Sequence, residues 1–433
     1  ERRVVGKVAP KAADLADACS CLPDGVSEED ALAMHDPEGI RGVMRATLRS
    51  TFLPLETLEC YFGAGPAAYF SFLDSYIRSL AMPAIAATVL WLRRRRLGHH
   101  GAGKVIAPLV IAAWALHFVK KFPKQGCYRR ALLAEAKAAP AKRRQEMNMA
   151  TVSKGVAAKL ASAAGTAALL AAISSVMVVS LNSQGYIVNR KSRFAVPLLQ
   201  KMAGDKGIFD ANHPVKSLIP AAIHSLVINH LGEWYVSAVQ RLSEMDGTGR
   251  RGVIIRRLLF EALDAFLPIW WIAAVRRDKA MLVGEIQSIY MIDEVRRMAT
   301  ESVLPYILQA FNRYRSGRGV FADVADLVDR PEELDEWDDF NDWLEMVTQF
   351  GYLVSLGWVV PITFQWAFLS NYFEARSDVF HMCFCCRRPF PGAPADVATW
   401  RRTIEIIGYG GAAWNVVVAS YAARRLLRKR SAT

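Results

Sequence analysis

The sequence lacks the marks by which most enzymes and nucleic-acid-binding proteins are recognised. No P-loop, no dinucleotide-binding glycine motif and no nucleophile–base pair stands out along its 433 residues, which argues against an enzyme. No nucleic-acid-binding motif accompanies the net charge of +13, so a DNA or RNA partner is set aside. No secretory signal with a small-residue cleavage site is visible near the start. Cysteine is sparse and odd in number, seven in all: Cys19, Cys21, Cys60, Cys127 and the cluster Cys383, Cys385, Cys386. Such a count speaks against a disulfide framework. The run CFCC invites palmitoylation or zinc, but no His–Cys spacing completes a tetrahedral set, and the cysteines are read as reduced and structural.

What the chain does have is apolar length. Residues of apolar type make up 52% and fall in blocks of roughly 18 or more, enough to cross a hydrocarbon core of about 30 Å. An all-α integral membrane protein follows. Spans are expected at about 67–92, 104–120, 156–182, 215–240, 253–275, 280–312, 342–359, 361–384 and 403–423. Residues 1–66 read as a short, partly helical cytosolic segment, 67–423 as the transmembrane domain and 424–433 as a basic tail. Lys and Arg gather at the ends of apolar runs, where they meet lipid headgroups, so membrane lipids are the expected partners. A cytosolic start also puts the basic loop 121–154, Arg250, Arg251, Arg401 and Arg402 in the cytosol, as the positive-inside rule prefers. Arg93 to Arg96 and the C-terminal tail then fall on the other side, against that rule. The sequence does not choose among plasma membrane, endoplasmic reticulum and organelle.

Two acidic pairs sit oddly beside these runs: Asp342 with Glu345, and Glu374 with Asp378. A carboxylate inside a span costs roughly 2.5–3.5 kcal/mol, so it normally faces a partner or water. Spacings of three and four place each pair on one helix face. The seventh and eighth runs meet near Pro361 with almost no loop, so they are antiparallel neighbours and bring four carboxylates to one depth. Two readings stand. The acids are interfacial and hydrated, or they enclose a cation, for which Ca²⁺ with its 6–8 hard oxygen ligands is the natural choice.

Several stretches, in order, are similar to the anoctamins, the calcium-activated chloride channels and phospholipid scramblases. They are PLETLECYFGAGPAAYFSFLDSYIRSLAMP, AAWALHF, SLVINHLGEWYVSAVQRL, LLFEALDAFLPIWWIAAV, LEMVTQFGYL, NYFEARSDVF, RRPFPGAPADVATW and IEIIGYGGAAWN. The resemblance implies an anoctamin-like bundle, here with about nine transmembrane helices. It also implies a Ca²⁺ site between helices six, seven and eight, built from Asp342, Glu345, Glu374, Asp378 and, within TESVLPYI, Glu301. One turn before Glu301 the family usually has Asn and this chain has Arg297. Arg297 would weaken the site or stand in for the cation by pairing with Glu301 or Glu374; otherwise it points into headgroups.

The resemblance further implies a groove along helices four to six through which headgroups or anions pass. His224, Asn229, His230 and Glu233 would line it from the fourth helix, with Glu261 and Asp264 from the fifth. The bland reading of each histidine is ordinary packing. Acids at 261 and 264 disfavour an anion, which leans toward lipid. MIDEVRR stands where the family often has Gly and Lys, so a hinge in the sixth helix is in doubt. The chain opens on Glu1, and little follows the ninth run where the family has a tenth helix central to dimerisation. It is therefore expected to be a shortened or partial member. A homodimer or a larger membrane complex is expected, and a second reading makes the chain a non-transporting accessory or tethering subunit.

Overall fold

Asp36 and Pro37 set the point where the chain first becomes helical. The Asp36 carboxylate accepts the Gly39 N–H at 2.6 Å and Pro37 occupies the first helical position, so helix α1 runs Pro37–Arg49. The computed structural model describes residues 35–97, 103–149, 156–187, 192–210, 218–288, 340–389 and 396–430, with isolated positions elsewhere. After α1 come α2 (Leu55–Phe62), α3 (Ala64–Leu97), α4 (Gly103–Lys121), α5 (Gly126–Met149), α6 (Val156–Ser183) and α7 (Pro197–Ala203). Then follow α8 (Leu218–Asp246), α9 (Gly249–Trp270), α10 (Lys279–Ser288), α11 (Phe340–Leu356), α12 (Thr363–Phe384) and α13 (Val397–Arg430). The one strand pairing described is a two-residue parallel contact of β1 (Arg3–Val4) with β2 (Ala31–Leu32).

Three of these helical segments are long and apolar enough to cross a membrane: Gly103–Lys124, Val156–Ser183 and Val397–Arg425. Nine were expected. Of the other expected runs, α9, α11 and α12 carry Arg256, Asp342, Glu374 and Asp378 among their apolar residues, and α11 has only 17 residues. Such helices can sit in a bilayer only with their polar faces turned to protein or water. The sixth expected span, 280–312, lies mostly outside the described residues, and α10 covers its start.

The chain forms two compact units, Glu1–Ala139 with Gln287–Thr433, and Pro140–Ile286. The first is built on aromatic rings. Phe72 and Tyr76 from α3, Trp114 and Phe118 from α4, and Trp343 and Phe350 from α11 are all buried and recur at four- or seven-residue spacings. Trp343 stacks on Trp400 of α13 with centroids 5.8 Å apart and touches Phe72 at 4.9 Å. Helix α13 lies along α4 and α11, and α12 along α3. Two glycines make the first approach close. A Cβ on Gly408 would stand 2.4 Å from Val119 Cγ2, and one on Gly411 would stand 2.0 Å from Val354 Cγ1. Asn415 then donates its amide to the Val354 carbonyl at 2.6 Å, linking α13 to α11.

The second unit has a smaller core of Ile173, Met177, Ile228, Tyr235, Val239 and Phe260, drawn from α6, α8 and α9. Its helix ends are tied by a polar knot. Buried Arg256 donates to Thr166 at 2.9 Å, Ser243 at 2.7 Å and Ser162 at 2.7 Å, and pairs with Asp246. Ser162 also donates to Asp246 at 2.8 Å. Past Pro268 the helix widens into a π turn, Trp271–Arg276, and stops at Arg277 with φ 55°.

Candidate functional site

Helix α11 carries Asp342 in its first turn, where exposed backbone N–H groups favour a negative charge. Glu345 follows on the same face, and Glu374 and Asp378 share a face of α12. All four side chains are half-buried. Residues 357–362 alone join the two helices, so they run antiparallel.

The register comes from a pair of amides. Gln349 Nε2 donates to Asn371 Oδ1 at 3.1 Å, and Asn371 Nδ2 donates to Gln349 Oε1 at 2.8 Å, with both side chains buried. In an antiparallel pair, steps toward the start of α11 match steps toward the end of α12. One turn back from Gln349 is Glu345, which comes level with Glu374. A further turn back is Asp342, level with Asp378. The amide pair thus fixes which turns of α11 and α12 come level, without adding charge.

A third helix reaches the same place. The Tyr69 hydroxyl, from the first turns of α3, donates to Asp378 Oδ2 at 3.0 Å. Asp342 and Glu374 also belong to the electrostatic surroundings of this buried phenol. Its ring meets Trp343 edge-on at 5.6 Å. Among the described residues, however, no group of three or more His, Cys, Asp or Glu is placed to hold a metal ion. Glu301 and Arg297 lie outside the described residues.

Helix α12 is anchored on both sides of Asp378. Toward one side, Arg376 donates to the carbonyls of Ser50 at 3.0 Å and Thr51 at 2.8 Å and lies over the Tyr372 ring. Beyond its end, buried His35 bonds the Cys386 carbonyl through Nε2 at 2.9 Å and the Tyr61 hydroxyl through Nδ1 at 3.0 Å. A carbonyl only accepts, so Nε2 carries the proton and Nδ1 accepts from Tyr61; the ring is neutral. Burial pushes the His35 pKa down to about 4, the Cys386 carbonyl opposes that shift, and nearby Arg388 reinforces it. Cys60, Cys127, Cys383, Cys385 and Cys386 are free thiols, and Cys19 and Cys21 lie outside the described residues. Cys386 Sγ lies 3.4 Å from His381 Nδ1.

The residues expected along a groove separate into two kinds. His224 Nε2 meets Asp264 Oδ1 at 3.1 Å, linking α8 to α9, and Glu261 lies one turn from Asp264. Close by, Tyr186 donates to Glu285 of α10 at 2.5 Å, and Glu285 in turn senses His224. His230 and Glu233, by contrast, are exposed; the His230 ring bonds the Leu226 carbonyl of its own helix at 3.0 Å. His230 shares a shallow apolar surface with Leu226, Val227, Leu231 and the 81% exposed Trp234. Asn229 is on α8, and its side chain lies outside the described ones.

Sequence reasoning passed over Tyr69, Gln349, Asn371 and Arg256. The two amides did leave a signal, being side-chain amides inside apolar runs on helices expected to face each other.

A family model of the anoctamins, described as calcium-activated chloride channels, matches residues 58–429. Anoctamin-10 of Homo sapiens is 28% identical over 200 residues, which cover 43% of this chain and 30% of that protein. Anoctamin-10 of Mus musculus is 26% identical over the same shares. Anoctamin-8 of Mus musculus is 35% identical over 69 residues, 16% of this chain and 6% of that protein. The matched stretches make up less than a third of the length of these relatives.

Proposed function

The chain belongs to the anoctamin family, and from that premise we propose a membrane transport protein that passes phospholipid under the control of Ca²⁺. Asp342, Glu345, Glu374, Asp378 and Glu301 would hold the ion. Their donor chemistry fits: five carboxylates are hard oxygen ligands, and neither His nor Cys is among them. The observation that supports the reading is the Gln349–Asn371 pair, which fixes the register of α11 against α12, the two helices that carry four of these acids. Ca²⁺ supplies charge that relieves their mutual repulsion. Among the described residues these carboxylates are not gathered into a group of three or more that could hold a metal.

Lipid is preferred to chloride because the polar groups of α8 and α9 include Glu233, Glu261 and Asp264, which repel an anion. One observation favours the second reading, a non-transporting accessory or tethering subunit. His224 and Asp264 bond each other, which ties two groove helices together rather than presenting them to a passing headgroup.

Reconstitution of the purified chain into liposomes containing a fluorescent phospholipid separates the two. Lipid exchange between leaflets that rises with Ca²⁺ supports transport. Exchange no faster than in protein-free liposomes, with and without Ca²⁺, supports the accessory reading. An Arg297→Asn variant is expected to bind Ca²⁺ more tightly, since it removes a permanent positive charge near Glu301; unchanged affinity removes Arg297 from the account.

A further inference from the structure

Helix α3 is not among the elements expected to form the cation site, yet it is bonded to α12 at two well-separated points. Near its start, the Tyr69 hydroxyl donates to Asp378 Oδ2 at 3.0 Å. Four turns further along, Gln365 Nε2 of α12 donates to the Ala84 carbonyl at 3.0 Å and to Thr88 Oγ1 at 2.8 Å. The two contacts fix the antiparallel register of α3 on α12, so the phenol reaches Asp378 because of the helix packing and not by a chance rotamer. The ring is itself buried and held edge-on between Trp343 and Phe70, at 5.6 and 5.3 Å.

The chemistry of the donor matters. A phenol donates to one carboxylate oxygen and brings no charge of its own. Lys or Arg at this position would supply the donor and the charge together. Phe, which stands next to Tyr69 at position 70, would pack equally well and supply neither.

We propose that Tyr69 is a positioning residue for divalent-cation binding, holding Asp378 in its ligating orientation from α3. The proposal rests on the reading of the α11–α12 carboxylates as a cation site, and adds that a third helix, α3, is mechanically part of it. Ion binding at Asp378 is then felt directly by α3.

The test is the thermal midpoint of the full purified chain in detergent, followed as Ca²⁺ is titrated into wild type, Tyr69→Phe, Asp378→Asn and the double variant. Hydrogen-bond partners of ligating groups typically matter 10–100-fold for metal affinity, so the half-saturating Ca²⁺ concentration of Tyr69→Phe is expected to rise about tenfold. In the Asp378→Asn background the same change is expected to shift half-saturation no further. A midpoint lowered equally at every Ca²⁺ concentration, with half-saturation unmoved, overturns the proposal and leaves Tyr69 a packing residue. A further shift in the Asp378→Asn background also overturns it, since the effect would not pass through Asp378. A wild type whose midpoint ignores Ca²⁺ overturns the cation-site reading, and the role of Tyr69 falls with it.

Discussion

Asp246 and Asp378 are both aspartates at the edge of helical packing, and they are held by opposite kinds of donor. Asp246, in the unit 140–286, meets the guanidinium of Arg256 with two hydroxyls around it, from Ser162 and Thr248. Asp378, in the other unit, meets the neutral phenol of Tyr69. A guanidinium cancels the charge of a carboxylate and closes the site. A phenol donates a hydrogen bond and brings no charge of its own. The same contrast extends to the neighbours. The second unit links α8 to α9 through His224 and Asp264, whereas the first links α11 to α12 through two uncharged amides.

The largest effect that would break this comparison is expected at Arg256. Replacing it with Met leaves Asp246 buried without its ionic partner, at a cost of about 3–5 kcal/mol. Thermal or denaturant unfolding of the purified variant reads this directly, and a change below about 1 kcal/mol would mean that the knot is a solvated surface pair.

A smaller effect is expected from pH at His35, where the first unit again depends on an uncharged contact. Its folded pKa of about 4 lies below the ordinary value of 6.5. The undocked ring therefore takes up a proton first as pH falls. The contribution of His35 to docking is complete above about 6.5 and is lost as pH falls toward about 4, amounting to about 3 kcal/mol across the window. The difference in stability between wild type and His35→Gln should shrink over that range. A difference independent of pH would mean that the ring is reached by water.

The smallest effect is expected at the amide pair. Gln349→Leu leaves the Asn371 amide buried and unsatisfied, at about 1–3 kcal/mol. Replacing both residues by Leu should cost less than the two single changes added together. Additive costs would show that the amides do not act as a pair.

Helix positions were largely legible where apolar runs end in charge. Expected spans at 104–120 and 156–182 became Gly103–Lys121 and Val156–Ser183. Boundaries were missed where the reason is local geometry. The run expected to reach 275 leaves α-helical geometry after Trp270, in the turn that follows Pro268. The run expected over 403–423 extends to Val397–Arg430, because basic residues at a helix end continue the helix beyond the apolar stretch. The acid pairs could be read from spacing alone, since faces of a helix follow from residue number. Tyr69 could not. In PAAYFSFLDSY it looks like one more aromatic among Phe70 and Phe72, and only the packing of α3 on α12 selects which ring meets a carboxylate.

Calorimetric titration of Ca²⁺ into the purified chain, beside a Glu374→Gln variant, tests the central claim most directly. Saturable binding in wild type that is at least tenfold weaker in the variant is the predicted result. Equal heats from the two proteins, or none from either, would contradict the assignment of the α11–α12 carboxylates to a cation.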